Sequence, residues 1–269
     1  MGCLPDSGKC ERARAQPFID HINATENKSY IHVSCLDIQI RDRPQPEVLY
    51  RNSQDESDIV VERKNVMWPL NYAELHSAEH HFFDFINERV HELTEGGPFA
   101  LALPPTPTID REILRAYATK ISSEIESMIH RIEPGQGFVG QFNGHRFKFW
   151  HQWESEREDG EPDKGLMIEV LQRPDAAIRD PRKLPPELLA EINRIIENCV
   201  DKFQEYPHAR RVLLVEPHGQ LRYLGEPWWT DLLSALPPPT ELDEIWVGHH
   251  EFLPGIGDDW MFEKVYAAL

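Results

Sequence analysis

The sequence predicts an α/β fold in which a mixed central β-sheet is flanked by helices, and three observations carry that expectation. Short β-rich stretches alternate with long amphipathic stretches of helical period along the whole chain, with no internal repeat. Apolar residues make up 40% of the 269 positions and aromatics 10%, enough to bury a substantial core. The length stands at the upper end of what one hydrophobic core supports, which predicts a single elaborated domain over residues 1–269.

Each element has a local reason. Residues 1–10 are polar and read as a loose arm, with a short helix expected over about 11–22. Ile31, Val33, Leu36, Ile38 and Ile40 make residues 30–40 β-rich, and Arg41-Asp42-Arg43-Pro44 ends that stretch in a turn. Residues 47–51 read as a short extended segment and 58–64 as a buried strand, an antiparallel pair joined by the polar loop 52–57. Asn71, with Glu74 three residues on, has the form of a capping box opening a helix over 72–94. Leu75, Phe82, Ile86, Val90 and Leu93 are its apolar stripe, and Gly96-Gly97-Pro98 stops it.

An apolar strand over 99–103 follows, closed by Pro104-Pro105, and then a helix over 110–132. Phe138, Phe142, Phe147 and Phe149 flank Asn143-Gly144, the pattern of a β-hairpin. Beyond an acidic loop at 154–164 come a strand at 166–171 and an amphipathic helix at 185–206. Strands at 211–216 and 244–248 then bracket a short helix at 228–236. Trp150, Trp153, Trp228 and Trp229 read as core aromatics, and His249-His250-Glu251 and Asp258-Asp259 as solvated loops.

Composition narrows the function classes. A formal net charge of -18 argues against a broadly basic nucleic-acid-binding surface, although metal-dependent nucleases gather carboxylates at their centre. Cys3, Cys10, Cys35 and Cys199 form no C-x-x-C pair and no zinc pattern, so reduced thiols are expected. No run approaches the ~18 apolar residues of a membrane span, and the N-terminus has no apolar leader. The opening Met1-Gly2-Cys3 lacks the Ser or Thr of an acylation signal where Asp6 stands. A soluble, cytoplasmic chain with no membrane partner is the expectation.

The most informative segment is Pro46 to Lys64. In the strand at 58–64, side chains alternate between faces, so Asp58, Val60, Glu62 and Lys64 share one. The Cα atoms of Glu62 and Lys64 should lie roughly 6.5 to 7 Å apart. Glu47, on the partner strand, can bring a second carboxylate to the same place. Two carboxylates and a backbone carbonyl are the hard oxygen donors that Mg²⁺ or Mn²⁺ prefers.

Pro46-Glu47, then Glu62-Arg63-Lys64, then helix and strand, resembles the PD-(D/E)xK nuclease superfamily over about residues 30–104. The resemblance implies a restriction-endonuclease-like core in that span, with an α/β elaboration over about 105–269. It implies that Glu47, Glu62 and the Arg63 carbonyl bind Mg²⁺ or Mn²⁺, that Lys64 positions water, and that the substrate is nucleic acid. The family's hairpin, helix and next strand would correspond to residues 45–64, 72–94 and 99–103. Two departures stand out: the first acid is Glu47 where the family uses Asp, and no upstream helical acid is assignable. Asp58 is a substitute ligand, and Arg41, Arg43, Arg51 and Arg63 cluster in sequence as candidates for a local basic groove. Lys202, on the late helix ahead of the 211–216 strand, approaches the sheet edge and receives no role.

Two other readings compete. One is a non-catalytic interaction protein that keeps the fold, in keeping with the acidic charge. The other is a Zn²⁺ hydrolase, because His76-Ser77-Ala78-Glu79-His80 fits H-x-x-E-H, in which two helical histidines hold the metal and the glutamate activates water. A third ligand would have to come from elsewhere, with Glu124 and Glu126 as candidates.

Overall fold

The computed structural model describes residues 11–36, 44–95, 97–106, 108–152, 165–170, 176–237, 239, 241–253 and 257–268. The arm at 1–10, the turn residues 41–43, Trp153 and the acidic loop at 154–164 lie outside them. The fold is mixed α/β, as expected, but it has two mixed sheets where the sequence predicts one central sheet. The chain divides into two compact units, Met1–Leu70 with Pro174–Leu269, and Asn71–Arg173. In sequence, the second is an insertion into the first.

The first unit begins with α1 (Glu11–Glu26), followed by β1 (Tyr30–Cys35), β2 (Val48–Asn52) and β3 (Asp58–Trp68). These strands form an antiparallel meander. Along β3 the register runs parallel to β8 (Arg210–Gly219), from Ile59 opposite Arg210 to Trp68 opposite Gly219. β9 (Glu244–Leu253) pairs parallel with β8, and β10 (Gly257–Ala267) antiparallel with β9. The sheet order is therefore β1-β2-β3-β8-β9-β10. One face carries Ile59, Val61, Val212, Leu214 and Trp246, packed on Phe18, Ile19 and Ile22 of α1. The other carries Val60, Val66, Leu213 and Val215. Against that face pack Leu188, Ile192, Ile195, Cys199 and Phe203, spaced at i, i+4, i+7, i+11 and i+15 along the helix Pro186–Phe203, with Trp228, Trp229 and Leu232 of a second helix, Glu226–Ser234.

In the second unit, helix α2 (Tyr72–Thr94) matches the bounds the apolar stripe predicts. The capping box does not form: Asn71 makes no side-chain cap bond, and its backbone carbonyl accepts from the Glu74 and Leu75 amides instead. Helix α3 (Arg111–Met128) is capped as a helix should be, Asp110 accepting from the Glu112 and Ile113 amides. Numbered in chain order after these, Pro186–Phe203 is α4 and Glu226–Ser234 is α5. Both α2 and α3 pack on one face of a sheet ordered β5-β6-β4-β7, built from β4 (Pro98–Leu103), β5 (Gly137–Phe142), β6 (His145–His151) and β7 (Gly165–Val170). Asn143 and Gly144 turn the β5–β6 hairpin with φ of 43° and 83°, the two positive values a type I′ turn requires.

Three expectations are corrected. The strand at 99–103 pairs with β6 and β7 of the second sheet, so the helix and strand that complete the sheet around β3 are α4 and β8. His249, His250, Glu251, Asp258 and Asp259 lie in strands β9 and β10, not in loops. Polar residues that interrupt the apolar alternation leave no local signal of strand pairing, so this hairpin shows only in its register. The two described arginines, Arg51 and Arg63, share no groove: Arg51 pairs with Asp58 in a two-point bond, Arg63 with Glu216 at 2.6 Å, and they lie on opposite faces of the sheet. Arg41 and Arg43 lie outside the described residues. Trp228 and Trp229 are core residues whose indole N–H groups donate to the Ile178 and Leu224 carbonyls.

Candidate functional site

Glu62 sits on β3 between Val61 and Arg63, in register with Leu213 of β8, and its side chain has no exposed surface. Lys64 follows on the same face, opposite Val215. Glu47 immediately precedes β2. Because Val48 pairs with Val61, Glu47 lies level with Glu62. Its backbone carbonyl accepts from the Leu36 amide, which fixes the chain at that point. Just upstream the buried Gln45 accepts from the Tyr206 hydroxyl at 2.6 Å and donates to Glu205, so the approach to Glu47 is tied to the end of α4.

The three residues that the sequence singles out do converge. The Lys64 ammonium lies 3.7 Å from Glu47 Oε1 and is bonded to Glu62 Oε1. The same oxygen accepts from Lys202 of α4, 140 positions away in sequence. Glu62 Oε2 is buried and has no hydrogen-bond partner among the described residues. Two ammoniums thus close on one oxygen of a buried carboxylate while the other remains unsatisfied.

The electrostatics follow from that packing. Burial pulls the Lys64 ammonium down, but the carboxylates of Glu62 and Glu47 outweigh it and hold its pKa above the ordinary lysine value. Cys199, on the apolar stripe of α4, lies close enough to feel all four charges. Burial, reinforced by the Glu62 carboxylate, pushes its thiol up to about 12, so it is an inert packing group. Cys35 and Cys199 are both buried and unbridged.

The other named residues stand elsewhere. Asp58 is engaged by Arg51 at the far end of the strand, on the order of 13 Å along β3 from Glu62. Arg63 points its guanidinium to Glu216, on the α1 face, so only its backbone is on the strand segment that bears Glu62 and Lys64. Lys202 is the residue to which the sequence assigned no role. Its signal was present: it falls between the buried Cys199 and Phe203, where a charged side chain needs a buried partner or a path to solvent. Its partner is a strand residue that no local pattern identifies.

Among the described residues no group of three or more His, Cys, Asp or Glu side chains is arranged as a metal site. Nor is any helix among them long and apolar enough to cross a membrane. Compared with family models, curated proteins and solved structures, the chain matches none.

Proposed function

We propose that this chain is a metal-dependent phosphodiesterase acting on nucleic acid, with its centre at Glu47, Glu62, Lys64 and Lys202. The observation that carries the reading is the orphaned Oε2 of Glu62, a buried carboxylate oxygen with no hydrogen-bond partner among the described residues, beside a second carboxylate level with it across the strand pair. A buried polar atom left without a partner needs an explanation, and a bound ion is one that suits two neighbouring carboxylates. A hard divalent cation fits the donor set: Glu62 and Glu47 would hold Mg²⁺ or Mn²⁺, with the Arg63 carbonyl as a further oxygen donor. When bound, such an ion stabilises charge on a phosphoryl oxygen and lowers the pKa of a water molecule. Lys64, kept protonated by its neighbours, donates to a phosphate oxygen or orients the attacking water, and Lys202 adds a second positive charge on the same side.

A second reading has its own support. Two ammoniums beside two carboxylates leave the cluster with no net charge, as a structural ion cluster in a non-catalytic interaction protein would be. One experiment separates them. The full chain is incubated with single-stranded and duplex DNA and RNA in Mg²⁺, in Mn²⁺ or in chelator, alongside Glu62→Gln and Lys64→Ala. Cleavage that needs the divalent ion and is lost in both variants supports the phosphodiesterase. Absence of cleavage from all four polymers, with no Mn²⁺ bound by the unaltered chain, rejects it in favour of the ion cluster.

A further inference from the structure

Helix α2 presents His76 and His80 one turn apart on an exposed face. Their Nε2 atoms are 3.2 Å apart, with ring centroids 4.5 Å apart and ring planes 70° from parallel. Two imidazole nitrogens that bind one tetrahedral Zn²⁺ at about 2.0 to 2.1 Å stand roughly 3.3 to 3.4 Å from each other. The pair is therefore within a small side-chain adjustment of chelating geometry.

The surroundings of His76 orient it for that purpose. Its ring stacks on Tyr72, centroids 5.4 Å apart and planes within 16° of parallel. Its other nitrogen, Nδ1, lies 3.7 Å from Oε2 of Glu79, whose side chain is only 8% exposed. A buried carboxylate at that distance makes no hydrogen bond, but its negative charge favours the proton on Nδ1 and leaves the Nε2 lone pair facing His80. Without a cation, the short Nε2 to Nε2 approach requires one of the two nitrogens to donate to the other. A cation between them lets both lone pairs face positive charge.

We infer that His76 and His80 form a binding site for a borderline-soft divalent transition metal, Zn²⁺ foremost, with Glu79 as the positioning residue. Imidazole nitrogens select such metals over Mg²⁺, so the site is chemically distinct from the carboxylates of β3. Glu79 faces the imidazole nitrogen turned away from the metal position, which gives it an orienting role and not the water-activating role of the H-x-x-E-H pattern. With no third side-chain ligand of that kind among the described residues, the remaining coordination positions fall to water or to an exogenous donor.

The test is a Zn²⁺ titration of the tag-free full chain followed by calorimetry, in excess Mg²⁺ so that carboxylate sites are occupied, with His76→Ala, His80→Ala and Glu79→Gln in parallel. Both histidines are exposed, so their variants should fold, and far-UV circular dichroism checks this for all three, including the substitution at the buried Glu79. The expected result is one Zn²⁺ site, weakened about tenfold or more in each histidine variant and roughly 10-fold in Glu79→Gln. Zn²⁺ should also raise the thermal midpoint of the unaltered chain, and that rise should be absent in the histidine variants. Zn²⁺ binding equally tight in the unaltered chain and in folded His76→Ala or His80→Ala overturns the inference. This outcome is independent of the nuclease reading, which concerns other residues and another metal class.

Discussion

In the six-stranded sheet a carboxylate with no solvent exposure, Glu62, stands in the middle of β3, and two lysines close on one of its oxygens. The core of the four-stranded sheet packs Phe99, Leu101, Phe142, Phe147 and Phe149 against Phe82, Ile86, Ile121 and Ile125, all apolar. Those apolar side chains need no account beyond burial and shape. Glu62 and its lysines do, because taking a carboxylate and its partners out of water costs several kcal/mol per ion before attraction offsets it. Val60 and Val66, on the same face of the same strand, show what packing alone would place there. Replacing a buried ion cluster by well-packed apolar residues is often neutral or stabilising, so packing alone does not account for this one. The second unit repeats the lesson on a smaller scale, since its buried Glu79 lies beside His76 on α2 and not in the apolar core.

The largest effect that would sharpen this contrast is on Glu62. Glu62→Ala should cost about 3 to 5 kcal/mol in denaturant unfolding, because it leaves two ammoniums without their shared counter-charge. Replacing Lys64 and Lys202 by Met as well should recover most of that loss. A Glu62→Ala chain as stable as the parent would mean that the cluster is not buried in solution and would remove the contrast.

A smaller effect tests how the second unit starts its helices. Asp110→Ala should cost about 1 kcal/mol, the usual worth of an N-cap bond, while Asn71→Ala should be close to neutral because its side chain caps nothing. Equal losses at the two positions, read by urea titration, would show that Asn71 does cap α2.

The smallest effect concerns pH. Lys64 has its folded pKa raised, so the stability it contributes is fully present below the ordinary lysine value and is lost as pH rises through the higher folded one. Alkaline destabilisation beginning above roughly pH 10 should therefore be shallower in Lys64→Met than in the parent. Identical alkaline profiles would mean that the carboxylates around Lys64 contribute nothing to its charge state.

Much of this was readable residue by residue. The apolar stripe of α2, the Asn143-Gly144 hairpin and the shared face of Glu62 and Lys64 all follow from periods of 3.6 and 2 and from turn chemistry. Each depends on neighbours within a few positions, so sequence by itself determined them. Even Glu47 fell within that reach, because an antiparallel pair joined by a short loop has its register constrained by the loop. Tertiary structure alone decided which strand lies beside β3. Parallel pairing needs a long crossover and leaves no local mark, so β8 could not be told from β4 as the neighbour, and the sequence places the strand 99–103 where 210–219 stands. The same reason hid Lys202. Its position on α4 was legible, but its partner 140 residues away was set by the packing of that helix on the sheet, which hydrophobic burial determines without naming the polar pairs it brings together.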